Sequence, residues 1–268
     1  MSAFIVAKRY LLSLTSCAYF FAGGVLQKKH RPLLYDLCKH FGFEGASSQQ
    51  MRPIPLIPPV EVTDLFPVPI TPTLCELQGT DGNVSLLELI IIASLAKQCS
   101  PCNVLEIGTF DGRTTANLAL NTASDAKVYT LDLPPEGLDS AGLPLEADDR
   151  KYVLKSASGE RFSRLPEGSK VKQLYGDSAT FDFVPFEGKM DFIFIDGSHS
   201  YEYVLRDTRT ALRLLPPSGG VILWHDYDTQ SWPGLTTGLN ELFQSEPLLR
   251  GIKHITSTSL CMLDTRIA

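Results

Sequence analysis

Residues 104–115, VLEIGTFDGRTT, constrain the fold more than any other stretch of the chain. An apolar-rich run leads into Glu106, Gly108 and Gly112 stand four apart, and a helix-forming stretch follows. That order predicts a buried parallel strand, a tight glycine turn and a helix N-terminus, the place where open α/β sheets bind ligands. The spacing is Glu-x-Gly-x-x-x-Gly and not G-x-G-x-x-G, so the three-glycine cradle for a dinucleotide pyrophosphate is absent. Carboxylates at Glu106 and Asp111 would repel a pyrophosphate and would suit a cationic ligand with an ammonium or sulfonium group.

After this turn the chain alternates. Strands are expected at 103–107, 127–132, 171–175, 190–195, 221–224, 252–256 and 260–263, and helices at 113–122, 201–215 and 234–245. FIFI at 192–195 and VILW at 221–224 are unbroken apolar runs, as in strands buried on both faces. Ser85-Leu-Leu-Glu88 has the form of a capping box opening a helix to about Gln98. The expected fold is α/β: a doubly wound, mostly parallel, seven-stranded Rossmann-like sheet ending in an antiparallel edge hairpin. Residues 133–170, polar and rich in Gly and Pro, read as a cap over the site.

The rest of the chain divides in three. Residues 52–73 hold seven of the eighteen prolines and read as a semi-rigid connector before a catalytic domain over 74–268. Residues 1–45 carry six Lys/Arg against two Asp/Glu, about +4, which leaves about −10 for the remainder. An uncharged run, Tyr10–Gln27, lies between basic clusters. We read residues 1–51 as a helical extension that packs on the body or on a second subunit to give a homo-oligomer. Peripheral membrane contact through residues 1–45 is the competing expectation, and a true membrane span or a signal peptide is the remaining one. The net charge of −6 leaves no broad basic face, so no nucleic-acid partner is expected. Six cysteines form no legible disulfide framework, and Cys99-Ser-Pro-Cys102 lacks the second pair that a zinc site needs. Reduced thiols and a cytoplasmic setting follow.

The chemistry-bearing residues stand at strand ends. Asp132, about twenty residues after the glycine turn, is placed for ribose hydroxyls. In LYGDSATFDF, Gly176 allows close approach and Asp177 could accept from an adenine amine. Asp196 and His199 follow one buried strand, His225 and Asp226 the next, so four groups can converge. Two carboxylates with an imidazole suit Mg²⁺ or Mn²⁺, with the other imidazole as general base. Trp224, Trp232 and Tyr201 are candidates for acceptor contacts.

The glycine turn resembles the first motif of class I S-adenosylmethionine-dependent methyltransferases. The run DGSHSYEYVLRDTRTALRLLPPSGGVILWHDY at 196–227 resembles the metal-dependent O-methyltransferases, especially the macrolide-sugar and cephalosporin-biosynthesis branch. Similarity spans about 190 residues, from near Thr80 to the C-terminus. It implies S-adenosylmethionine at Glu106, Gly108, Thr109, Gly112, Asp132, Asp177 and Asp196. It further implies a Mg²⁺ or Mn²⁺ ion at Asp196 and at His225-Asp226 or Asp226-Tyr227, depending on alignment, and His199 as the catalytic base. Methyl transfer to a small-molecule hydroxyl, on a sugar or a phenol, is the implied reaction. The alternative is a non-catalytic or differently catalytic protein of the same fold whose N-terminal extension binds a membrane or a partner.

Overall fold

The computed structural model describes residues 53–266, so the N-terminal helical extension and its membrane or subunit contacts lie outside the described residues. Eight strands form one sheet: β1 Pro59–Val60, β2 Asn103–Ile107, β3 Lys127–Asp132, β4 Val171–Tyr175, β5 Phe192–Ile195, β6 Val221–Trp224, β7 Lys253–Ile255 and β8 Cys261–Asp264. Their order is β1-β7-β8-β6-β5-β2-β3-β4. Strands β2 to β6 are parallel neighbours, while β8 runs antiparallel to both β6 and β7. The order reverses at β2, with β3 on one side and β5 on the other. The crevice at that reversal, beyond the carboxyl ends, is where such sheets hold ligands.

Both faces of the central strands are covered, which explains their unbroken apolar runs. Leu105, Ile107, Ile193, Ile195, Ile222 and Trp224 pack under α6 Tyr201–Leu214 and α7 Pro233–Ser245. Their alternates Val104, Phe192, Phe194, Val221 and Leu223 pack under α2 Leu86–Cys99 and α3 Arg113–Leu120, the single turn α1 being Val62–Leu65. Helix α2 opens on the expected capping box, with Ser85 and Glu88 satisfying each other's backbone N–H groups. Among the described residues no helix is long and apolar enough to cross a membrane.

Two features differ from the expected sheet. The proline-rich segment supplies an eighth strand, so the β7–β8 hairpin is not the outermost element. Proline lacks an N–H but keeps its carbonyl. The Pro58 and Val60 carbonyls accept from the His254 and Thr256 N–H groups, and Pro59 sits between them. Ile57 is buried beside this strand, and the Leu56 and Ile57 N–H groups both donate to the Tyr227 hydroxyl, at 2.9 and 3.1 Å. Residues 53–60 therefore belong to the sheet's margin as well as linking to it. Five short turns of helix also break up residues 133–170: three 3-10 segments, Pro135–Ser140, Ala147–Asp149 and Pro166–Lys170, together with α4 Arg150–Val153 and α5 Glu160–Ser163.

A polar face of α3 holds the approach to α2. Arg113 is buried, and its guanidinium donates to the carbonyls of Glu76 (2.7 Å), Leu77 (2.9 Å) and Val84 (2.7 Å). One and two turns on, Asn117 and Asn121 each exchange hydrogen bonds with the backbone of Cys75 and Thr73. Burial pushes the Arg113 pKa down, yet three carbonyls stabilise the cation. Arg113→Met fills the space but leaves three carbonyls without their donor. It should cost about 3–5 kcal/mol in urea unfolding with an unchanged m-value. A loss below ~1 kcal/mol would mean that water replaces the guanidinium.

Candidate functional site

The glycine turn lies over the switch point, and contact forces both glycines. Gly108 has φ +96°, its N–H donates to Leu131 O at 2.8 Å, and an added Cβ would sit 2.0 Å from the Asp196 carbonyl oxygen. Gly112 has φ +85° at the N-cap of α3, where a Cβ would stand 2.7 Å from Gly159 Cα. The turn between them is thus pressed against the end of β5 and against the 133–170 segment. Thr109 is buried, its N–H donating to Asp132 Oδ1 at 3.3 Å and its hydroxyl bonded to Thr130 and Gln173.

Neither carboxylate of this turn presents a bare charge to a ligand, which corrects the electrostatic expectation for Glu106 and Asp111. Glu106 shares the α3 face of β2 with Val104 and is 1% exposed. Its Oε2 accepts from the Thr115 hydroxyl on α3 and from Thr130 on β3, the latter at 2.6 Å. Burial pushes its pKa up to about 8, so at neutral pH the carboxyl is largely protonated. Glu106 braces the turn from below. Asp111 is paired with Arg161 at 2.9 Å and accepts from Asn83 and the Arg113 N–H.

A folded pKa above the unfolded one has a defined sign. The folded state holds the Glu106 proton through the window from about 4.5 to about 8. Stability from this group is full below that window and falls as pH rises through it, by up to about 1.4 kcal/mol per pH unit. Glu106→Gln keeps an acceptor for both threonines and cannot ionise. Its melting temperature relative to wild type should therefore rise between pH 5 and pH 9. A constant difference would mean that Glu106 is ionised in the fold throughout.

The cap segment reaches the two carboxylates expected at the cofactor. Asp132 Oδ2 is paired with Lys155 Nζ at 2.7 Å and accepts from the Ser158 hydroxyl. Asp177 Oδ2 accepts from the Gly142 N–H at 2.7 Å, and its Oδ1 from the Ala179 N–H and the Tyr203 hydroxyl, both at 2.9 Å. Both acids stand where the sequence put them, at the carboxyl ends of β3 and β4, but here their partners are protein groups.

The four groups at the ends of β5 and β6 do converge. One ligand atom each from Asp196, His225 and Asp226 falls within 4.8 Å of the others. His225 Nδ1 lies 2.9 Å from Asp196 Oδ1 and 3.0 Å from Asp226 Oδ2. Asp226 has left-handed backbone, φ +65°, in a turn held by the Ser259 hydroxyl. Strain of this kind concentrates at functional sites. Of the two alignments, His225-Asp226 is the pair that faces the cluster. Tyr227 is fully buried and turns its hydroxyl to Asn240 and the 56–57 backbone.

His199 faces the same cluster from just before Ser200, the N-cap of α6. Its Nε2 lies 2.9 Å from Asp226 Oδ2, its Nδ1 lies 2.5 Å from Asp149 Oδ1, and Trp232 stacks on the ring at 4.0 Å and 10°. Burial alone would lower the His199 pKa, but hydrogen bonds to Asp149 and Asp226 outweigh it and push the value up to about 9. His225 is likewise held far above the usual range, burial being outweighed by Asp196 and Asp226.

Two residues of this network carried no legible signal. Asp149 comes from the cap, which has no strong period. Glu88 was read only as a capping residue, yet its Oε2 lies 3.3 Å from His225 Nε2 and its Oε1 accepts from the Ser259 N–H and hydroxyl at 2.8 Å. Of the aromatic candidates, Trp232 alone covers the site. Trp224 is a core residue whose indole donates to Thr208 at 2.9 Å, and the Tyr201 hydroxyl turns to Glu241.

Residues 105–227, from β2 to the turn after β6, match a protein family described as "Methyltransferase domain". The matched segment covers 123 of the chain's 268 residues. Its fold is similar to that of the SAH-bound Podospora anserina methyltransferase PaMTH1, at 17% identity and TM-score 0.51, over 68% of this chain and 79% of that one. It is also similar to the O-methyltransferase NovP, at 16% identity and TM-score 0.50, over 67% of this chain and 80% of that one. At these identities the likeness speaks for the fold. No curated protein sequence matches the chain. Among the described residues, Cys75, Cys99, Cys102 and Cys261 are all free thiols.

Proposed function

We propose that this protein moves the methyl group of S-adenosylmethionine to an oxygen of a small-molecule acceptor, a sugar or phenolic hydroxyl. The observation that supports this reading most is the placement of His199 Nε2 against Asp226 beside the Asp196–His225–Asp226 cluster. A hydroxyl needs a base and a nearby positive charge to attack at neutral pH, and this corner supplies residues for both.

The donor set fits a divalent cation. Two carboxylates and one imidazole are ligands for Mn²⁺ or Mg²⁺. Glu88 lies behind His225 Nε2 and accepts the N–H there, which would leave Nδ1 directed at the two carboxylates as the ligand atom. When bound, the cofactor supplies an electrophilic methyl carbon, and the cation supplies charge that lowers the acceptor's pKa. The protein's own groups do the rest. His199 accepts the acceptor's proton at Nε2. Asp226 is shared between the cluster and His199, so charge at the cluster weakens its hold on the His199 proton and brings the imidazole toward its working range. Trp232 covers one ring face and excludes water there. On the cofactor side, ribose hydroxyls would replace Ser158 and Lys155 as partners of Asp132, and the Gly108–Gly112 turn brings backbone close.

The test is transfer of labelled methyl from S-adenosylmethionine to a panel of catechols and sugars by the full chain with Mn²⁺ or Mg²⁺. Calorimetry with the cofactor accompanies it. Asp132→Ala should weaken cofactor binding at least tenfold, about 1.4 kcal/mol. Tight cofactor binding with no turnover on the panel would favour the non-catalytic alternative.

A further inference from the structure

The 133–170 segment reaches the catalytic corner through one side chain. Asp149 ends the 3-10 turn Ala147–Asp149 and is 4% exposed. Its carboxylate accepts three hydrogen bonds: Oδ2 from the Ser198 hydroxyl at 2.8 Å and the His199 N–H at 3.0 Å, Oδ1 from His199 Nδ1 at 2.5 Å. One carboxylate therefore grips both the backbone and the ring of the same histidine. That grip removes the ring flip that would exchange Nδ1 and Nε2. With Trp232 stacked on one face, the ring has one orientation, with Nε2 toward Asp226.

We propose that Asp149 is the positioning residue for His199, holding a proton on Nδ1 so that Nε2 is the atom that takes the acceptor's proton. This rests on the reading of His199 as the base. A carboxylate on the far nitrogen does two things. It fixes the tautomer, because Nδ1 must donate, and it stabilises the imidazolium formed when Nε2 gains a proton. Asp149 remains an acceptor throughout and does not itself exchange the proton. Because it comes from the cap, the base is complete only when the cap is seated. The same segment places Gly142 on Asp177 and Lys155 and Ser158 on Asp132, so cofactor and base are framed by one stretch of chain.

Nitrogen-15 NMR of histidine-labelled full chain reads the Nδ1-bound proton without any acceptor. The chain has five histidines, and His199→Ala assigns the one concerned. Wild type should show an Nδ1-bound proton that is shifted downfield and slow to exchange. Asp149→Asn should lose that resonance, and Asp149→Glu should restore it in part. Calorimetry with S-adenosylmethionine should give the same affinity for wild type and Asp149→Asn within about threefold, as expected of a variant that keeps its fold. An unchanged Nδ1 resonance in Asp149→Asn would overturn the proposal.

The kinetic arm uses labelled S-adenosylmethionine with 3,4-dihydroxybenzoate and Mn²⁺. Asp149→Asn should lower kcat by about 10²- to 10³-fold with little change in KM, and should add no further loss in a His199→Ala background. Additive losses in the double variant would show that Asp149 acts elsewhere and would overturn the proposal. Full activity of His199→Ala would overturn the base reading and this proposal with it. Inactive wild type would count against the phenolic reading of the acceptor, and the NMR arm then decides the Asp149 assignment by itself.

Discussion

Asp226→Asn should abolish methyl transfer, by at least ~10³-fold or about 4 kcal/mol of barrier, while cofactor affinity stays within about threefold of wild type. The size follows from how many groups this carboxylate serves. Its Oδ2 is 2.9 Å from His199 Nε2 and 3.0 Å from His225 Nδ1, so one atom joins the base to the cluster. An amide carries no charge, is a poorer ligand for a hard cation, and offers its oxygen to only one of these duties at a time. Chelation of the wild type with EDTA should reproduce the loss, and Mn²⁺ should restore the wild type but not the variant. Mn²⁺ paramagnetic resonance supplies a readout that does not depend on turnover. Bound Mn²⁺ should be seen with wild type and lost in Asp226→Asn. Undiminished activity of the chelated wild type would remove the cation from the reaction and leave His199 and positioning to carry it.

Much of the frame was legible because period and punctuation agree locally. Strands β2, β3, β4 and β6 begin and end at the residues expected, and α6 and α7 within one residue. Each is bounded by a glycine, a proline or a cap, and each apolar run has a single burial solution. The margin was harder. Pro53–Val60 reads as a connector because proline cannot donate to a ladder, but the ladder to β7 uses the Pro58 and Val60 carbonyls and asks no N–H of Pro59.

At the site, the pattern put Asp132, Asp177, Asp196, His199, His225 and Asp226 at or just beyond strand ends, where the structure has them. It did not tell which way a side chain turns. Glu106 and Asp111 look like a charged pair in sequence, but one points to the helix-covered face of β2 and the other meets Arg161 across 50 residues. Such long-range pairings leave no local pattern. The same is true of Asp149, whose partner lies 50 residues away, and of Glu88, which lies 137 residues from His225.

Gly108→Ala is expected to be the most disruptive single-methyl change in the domain. The residue has φ +96°, which an L side chain rarely adopts, so alanine is strained before any contact is made. Contact then forbids it. An added Cβ would lie 2.0 Å from the Asp196 carbonyl oxygen and 2.6 Å from its carbon, both backbone atoms that no rotamer change can move. Relief requires β2 and β5 to part at their carboxyl ends. The Asp196 N–H is bonded to Ile107 O at 2.8 Å, and the Gly108 N–H to Leu131 O at 2.8 Å, so parting would break the ladder on both sides of the switch point. The expected cost exceeds about 4 kcal/mol, in the range reserved for strain at a special backbone position. Activity should fall further than stability, because Asp196 moves with its carbonyl and carries one corner of the cluster away from His225. Gly197→Ala is the control. Its Cβ would meet the Ile107 side chain at 3.3 Å, a contact that a small shift can absorb, and it should retain fold and cofactor binding. A Gly108→Ala protein that melts within 2 °C of wild type would show that the turn can open without the sheet. The glycine would then serve ligand approach alone.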